Sequence, residues 1–303
     1  ASDVYKRQDH VGTGNTRVYR EAAALGAELK RLGEETLGAV TRAQAALYVD
    51  WDNWWAIECS AGPSCLLKYL DEVELYYEAL HRMNVPVDIV GAEDSLEGYR
   101  LVVAPLLYMV KPGYDEKLRT YVKEGGCLVT TYFSGIADEH DLVIIGGYPG
   151  PLRDILGIWV EESDALPEGT ENQFSYKGKE YPARILCDLL HLEGALGEYE
   201  KDFYSGFPAL TCHGFGRGKA YYAACRSSRE FYLDFLEDVC RQEGIDSLTG
   251  FDRRADLLEV TERHNENGSF LFLLNHGEER AAFLCPADGR ELLGEAEVRK
   301  GER

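Results

Sequence analysis

Several groups of residues in this chain are of types that could do chemistry. The run Trp51-Asp52-Asn53-Trp54-Trp55 places three of the four tryptophans within five residues and sets a carboxylate among them. Large amphipathic rings at such density suit a buried interface or a sugar-facing surface. The same rings could equally plug the end of a sheet. Trp159 is the fourth tryptophan and shares both readings. Asp138-Glu139-His140-Asp141 offers an imidazole and three carboxylates, a set able to ligate a metal. Several ligands on one tight loop would need partners from elsewhere, and hydrogen-bonded loop structure is the competing reading. The acidic pairs Glu34-Glu35 and Glu161-Glu162 belong to a chain with 53 acidic residues, where a pair is first of all a solvated face. Gly214-Phe215-Gly216-Arg217-Gly218 lies between two apolar runs and lacks the helix N-terminus that would hold an anion, so it predicts a hairpin turn. The eight cysteines (Cys59, Cys65, Cys127, Cys187, Cys212, Cys225, Cys240 and Cys285) form no CxxC pair and no zinc spacing. They are expected as free thiols, several of them buried. No metal and no cofactor is expected.

These groups are carried by an alternation of strands and helices. Val18, Ala22, Leu25, Leu29 and Leu32 form one apolar stripe of a first helix, with Asn15 or Thr16 to cap it and Gly33 to stop it. The pattern then predicts a strand over Ala45–Asp50, a helix over Cys65–Met83, strands at Val87–Val90 and Leu101–Pro105, a helix over Tyr114–Glu124 and a strand at Cys127–Tyr132. Continuous apolar strands alternating with amphipathic helices argue for a parallel sheet covered on both faces. The WDNWW run, Leu107-Tyr108 and Phe133-Ser134 should gather beyond the carboxyl ends of its strands. Residues 134–172, rich in Gly and Pro, are too long for a plain connection. Gln173–Cys187, Leu189–Leu192, Pro208–His213 and Lys219–Cys225 read as antiparallel strands. Ser227 with Glu230 reads as a capping box opening a helix that ends at Gly244. Leu257–Arg263 and Phe270–Asn275 flank an Asn-Gly turn, the signal of a hairpin. The apolar run Ala281–Leu284 and a polar end follow.

Composition narrows the class further. A 303-residue chain with 45 % apolar and 11 % aromatic residues can bury a sizeable core. A formal net charge of −21 argues against nucleic acid and anionic membranes as partners. Neither a signal peptide nor an apolar run near ~20 residues is evident. A cytoplasmic location is expected.

Several stretches resemble the family-42 β-galactosidases outside their catalytic barrel. They are DHVGTGNTRVYREAAALGAEL, YVDWDNWWAIE, DEHDLVIIGGYPGPLRDILGIWVEESDALP and Phe270–His276, which together run from about Asp9 to the end. The resemblance implies an α/β fold: an amidotransferase-like (flavodoxin-like), mostly parallel sheet with helices on both faces, plus a small antiparallel β domain. It implies residues 1–44 as the tail of a catalytic (β/α)8 barrel, 45–246 as a trimerisation domain and 247–303 as a C-terminal β domain, with the chain read as a fragment open at both ends. It also implies retaining hydrolysis of terminal β-galactosides by two barrel glutamates, a chemistry that sets the carboxyl groups ~5–5.5 Å apart. No residue here matches either glutamate, so no catalytic residue is assigned. Trp51, Trp54, Trp55 and Trp159 remain as candidates for a subunit interface or for a wall lent to a neighbouring subunit's sugar site. The implied partners are further copies of the chain, as a homotrimer, and a β-galactoside in the full-length enzyme.

An amidotransferase-like sheet raises the question of a nucleophilic cysteine on a sharp strand-to-helix turn. Neither Cys59 nor Cys127 fits, and Pro105-Leu106-Leu107-Tyr108 contains none. The alternative to an enzyme fragment is a free-standing assembly or binding module. A thiol hydrolase ranks below both.

Overall fold

The computed structural model describes residues 12–60, 62–192, 195–253, 257–294 and 296–301. Residues 1–11, which hold the Asp9-His10-Val11 lead-in, lie outside them. The elements begin with α1 (Arg17–Thr36), β1 (Ala45–Tyr48), α2 (Trp51–Cys59), α3 (Tyr69–Arg82), β2 (Val87–Val90), β3 (Leu101–Ala104), α4 (Tyr114–Lys123) and β4 (Cys127–Thr131). Next come a short α5 (Arg153–Leu156), β5 (Trp159–Ala165), β6 (Asn172–Tyr176), β7 (Lys179–His191), β8 (Gly197–Tyr199), β9 (Pro208–Phe215) and β10 (Gly218–Ala223). The chain continues through β11 (Cys225–Arg226), α6 (Arg229–Gln242), β12 (Leu258–Asn265), β13 (Gly268–Asn275), β14 (Gly289–Arg290) and β15 (Glu297–Val298). Two compact units result: residues 43–256, and residues 1–42 together with 257–303.

The larger unit is built on an 11-stranded sheet ordered β11-β7-β6-β8-β9-β10-β4-β3-β1-β2, with β5 paired to β7. The ladders β2-β1, β1-β3, β3-β4 and β4-β10 are parallel. Every other described ladder of this sheet is antiparallel. The sheet is therefore mixed, not mostly parallel. The reversal happens at β10, which accepts β4 in parallel on one side and β9 in antiparallel on the other. β1, β3 and β4 are buried at every residue, as strands covered on both faces must be. From β1 the chain crosses through α3 to β2 on one side, and from β3 it crosses through α4 to β4 on the other. Crossovers in opposite directions from these neighbouring strands place a topological switch point between β1 and β3.

Local chemistry explains where the elements deviate from the sequence pattern. The β6–β7 turn is Lys177-Gly178, both at positive φ (50° and 79°), the two-residue geometry that matches strand twist. β7 is one strand of 13 residues, where two were expected. Its Ile185, at φ 68°, is the joint where β7 leaves β6 for β5. The expected capping box does not form: the Ser227 hydroxyl donates to the Pro182 carbonyl at 2.7 Å, and Ser228 takes the cap position of α6. The expected hairpin at Gly214–Gly218 is present, with Gly216-Arg217 as its turn. A Cβ on Gly218 would stand 2.2 Å from the Gly126 carbonyl oxygen, so only glycine closes this turn.

In the smaller unit Thr16 caps α1 by accepting from the Tyr19 N–H. Gly33 does not stop the helix, which runs to Thr36; one internal glycine costs only about 1 kcal/mol. No residue of α1 is buried, and Leu25 and Leu29 are more than half exposed. Val40 bridges His264 of β12, and the Asn265 side chain donates to the Glu35 carbonyl at 2.8 Å. The β12–β13 hairpin turns on Glu266-Asn267, one position before the Asn-Gly dipeptide. Ala281–Leu284 forms no strand.

Candidate functional site

The WDNWW run is helical, a correction to the expectation of a strand that simply ends there. Asp50 is the reason. Its backbone stays extended after β1, and its carboxylate accepts from the Asp52 N–H at 3.0 Å, capping α2. The same carboxylate accepts from the Tyr48 hydroxyl (2.8 Å), the Asn53 amide (3.2 Å) and Lys111 Nζ (2.9 Å). Burial acts to raise the Asp50 pKa, but hydrogen bonds from Lys111, Tyr48 and the Asp52 N–H outweigh it and hold the group below the ordinary carboxylate value.

Asn53, fully buried, spans the switch point. Its Oδ1 accepts from the Met109 N–H at 2.7 Å and its Nδ2 donates to the Met109 carbonyl at 3.3 Å. The crevice in which an open α/β sheet would bind a ligand is thus occupied by the protein's own polar groups. Leu107 and Ser134 join there, the Leu107 N–H donating to Ser134 Oγ at 3.0 Å, and Tyr108 stacks on Phe133 with centroids 5.1 Å apart. The three segments expected at the strand ends do meet. A cleft of about 720 Å³ opens elsewhere, between the segments leading into β3 and β4. Its Arg100 and Lys117 are engaged by backbone carbonyls.

The tryptophans separate into two groups. Trp51 packs against Trp54 (5.1 Å) and Trp55 (6.2 Å), yet Trp51 and Trp55 remain 61 % and 56 % exposed. Trp54 packs against the core and donates to Glu58 at 2.8 Å. Trp159 is on β5, off the other end of the sheet order, and stacks flat on His191 at 4.3 Å. No described ring contact joins it to the α2 cluster.

The remaining candidates resolve as structure. Asp138 accepts from the His140 and Leu142 N–H groups, and Tyr108 donates to Asp141 at 2.7 Å; no group of three metal-ligating side chains occurs among the described residues. After β3 the chain turns at Leu106, φ 44°, whose N–H donates to Thr131 Oγ1 at 2.8 Å. This is a strained elbow of the kind that displays a nucleophile. The side chain on it is a fully buried leucine. The eight cysteines are free, and Cys127, Cys187, Cys225 and Cys240 are buried.

Two buried acids escaped the sequence reading. Glu72 accepts from the hydroxyls of Tyr132 (3.0 Å) and Tyr232 (2.7 Å), with Arg226 at 3.6 Å; Asp188 accepts from Ser163 and Tyr222, both at 2.6 Å. Glu72 was legible in principle, since it falls in phase with Tyr69, Val73 and Tyr76 on the buried face of α3. Burial raises both pKa values above the ordinary carboxylate range, against the pull of Arg226 and the tyrosines on Glu72 and of Ser163 and Tyr222 on Asp188. A raised folded-state pKa contributes stability below the unfolded value near ~4.3 and loses it as pH rises through the folded one. Glu72→Gln removes that loss. Its melting temperature relative to wild type should climb between pH 4 and pH 8, and a pH-independent difference in thermal melts would refute the assignment.

A mixed sheet with a self-filled switch point, caged acids and a leucine on its elbow defines a class: an α/β domain built on a mixed sheet. The comparisons with known proteins give the family. Residues 43–246 match the β-galactosidase trimerisation domain of glycoside hydrolase family 42, and residues 257–303 match its β-galactosidase C-terminal domain. The chain belongs to this family. It is 45 % identical over 299 residues to β-galactosidase BgaA of Planococcus sp. (strain 'SOS Orange'), covering 96 % of this chain and 44 % of that protein. It is 42 % identical over 301 residues to β-galactosidase BglY of Alicyclobacillus acidocaldarius, covering 95 % and 43 %. The β-galactosidase structure from Bacillus circulans sp. alkalophilus superposes with a TM-score of 0.90 at 41 % identity, over 96 % of this chain and 44 % of that one. The chain thus spans less than half the length of the relatives it matches. No described helix is long and apolar enough to cross a membrane.

Proposed function

We propose that this chain is the assembly part of a retaining β-galactosidase and that it draws three copies together around residues 45–246. The observation that carries the reading is the match of residues 43–246 to a trimerisation domain. Trp51 and Trp55 supply the apolar contact, Trp54 braces them from below, and Trp159 offers a second aromatic face to a neighbouring copy or its β-galactoside. Residues 1–44 join the assembly to the catalytic barrel, and 247–303 form the C-terminal domain. The parallel half, in the order β2-β1-β3-β4-β10, supports an amidotransferase-like scaffold whose elbow has Leu106 in place of a nucleophile. The exposed free thiols Cys59 and Cys65 suit a reducing, cytoplasmic setting.

Sedimentation velocity tests the assembly. A trimer is expected at micromolar concentration, and a strict monomer at high micromolar concentration would refute it. The isolated chain should not hydrolyse a nitrophenyl β-galactoside; robust turnover would show a reaction centre within these residues.

A further inference from the structure

The buried thiols are not equivalent. Cys127 on β4 and the half-buried Cys212 on β9 are separated by β10, which pairs with both strands, so they stand at least two strand spacings apart, roughly 9.5 Å or more, and cannot bond. Cys187 on β7 and Cys225 on β11 are instead direct register partners on adjacent antiparallel strands, at the last regular position before a bulge that shifts the register between Cys225 and Arg226. The Asp188 N–H donates to the Ala224 carbonyl at 2.8 Å, linking the residue after one cysteine to the residue before the other. In an antiparallel ladder such a bond flanks a non-hydrogen-bonded pair, the narrow kind, with Cα atoms about 4.5 Å apart and both side chains on one face. A disulfide spans Cα separations of about 4.4–6.8 Å. The two sulfurs also sense each other: burial first, then hydrogen bonding to Cys187, pushes the Cys225 thiol well above its ordinary value.

We propose that Cys187 and Cys225 are a latent cross-strand disulfide site, closed by exchange with a small disulfide oxidant of the glutathione type. Both residues are buried, at 0 % and 2 % exposure, so the reaction waits on a local opening. β11 provides it, being a two-residue strand at the end of the sheet order. One thiol, deprotonated in the opened state, attacks a sulfur of oxidised glutathione, forms a mixed disulfide and expels one glutathione thiolate. The second cysteine loses its proton and displaces the remaining glutathione. Two protein thiols are oxidised to one disulfide, and one oxidised glutathione is reduced to two thiols. The bond would tie β7 to the strand that leads into α6.

The test uses the native chain with its exposed cysteines alkylated, then incubated with oxidised glutathione and digested with trypsin without reduction. Peptides 185–201 and 220–226 each carry one of the two cysteines. They should appear joined, two hydrogens lighter than their sum. The closed loop of roughly 40 residues should raise the melting temperature by about 5 °C or more, reversibly with dithiothreitol, and Cys225→Ser should abolish the rise. Both peptides recovered as free thiols after prolonged oxidation, or found only as glutathione adducts, would overturn the proposal. The peptide map is read on wild type and does not depend on any variant folding.

Discussion

Asp50→Ala should be the most damaging single substitution at the strand ends, costing about 3 kcal/mol and lowering the melting temperature by roughly 6–12 °C. The carboxylate is 6 % exposed and satisfies Tyr48, Asn53, Lys111 and the first turn of α2 at once. Its loss leaves the buried Tyr48 hydroxyl and one N–H of the Asn53 amide without their acceptor, the Asn53 amide keeping the Met109 carbonyl, and removes a helix cap, itself worth about 1 kcal/mol. Lys111 keeps Asp52 at 2.8 Å, which holds the cost at the lower end of the range for breaking a buried pair. Asp50→Asn retains the shape but not the charge and should fall between. The pH dependence has a definite sign. Because the folded-state pKa lies below the ordinary value, the contribution of Asp50 is present above pH ~4 and is lost as pH falls through the folded value. Thermal melts of wild type and Asp50→Ala should therefore converge in strong acid. Melting curves that coincide at pH 7 would show that Asp50 does not hold the strand ends together.

The second large effect is expected on association. Replacing both Trp51 and Trp55 with glutamate should weaken self-association at least 100-fold, converting the proposed trimer to monomer at micromolar concentration. Buried aromatic anchors each contribute about 2 kcal/mol or more to an interface, and an unpaired carboxylate at its centre adds a desolvation cost. Both rings are more than half exposed in the single chain, so the melting temperature of the monomeric variant should stay within a few degrees of wild type. Trp54→Ala should do the opposite and lower stability first, because Trp54 packs on the core. Sedimentation of the double variant as an unchanged trimer would move the interface away from α2.

The amino-acid order by itself determined a good deal here. β2, β3, β4 and the β9–β10 hairpin follow from runs of burial-period residues bounded by turn signals, because short-range periodicity reports directly on which faces meet solvent. The four quoted stretches were enough for the family. The convergence of the WDNWW run, Leu107-Tyr108 and Phe133-Ser134 also followed, since strand ends in such sheets share one edge. Tertiary structure alone decided the rest. That β10 takes a parallel neighbour on one side and an antiparallel one on the other, and that β7 changes partners at Ile185, are choices among distant strands with the same local pattern. Asp50 reads as one more acid among 53; Tyr48, Asn53 and the Asp52 N–H that it caps lie beside it in sequence, but only the folded chain buries the group and brings Lys111 to it from 61 residues away. The pairing of Val40 with His264, which gathers both ends of the sequence into one unit, spans more than 200 residues and leaves no local trace. A side chain's neighbours in sequence set its conformational preference, whereas its burial and its partners are set by contacts that no window along the chain contains.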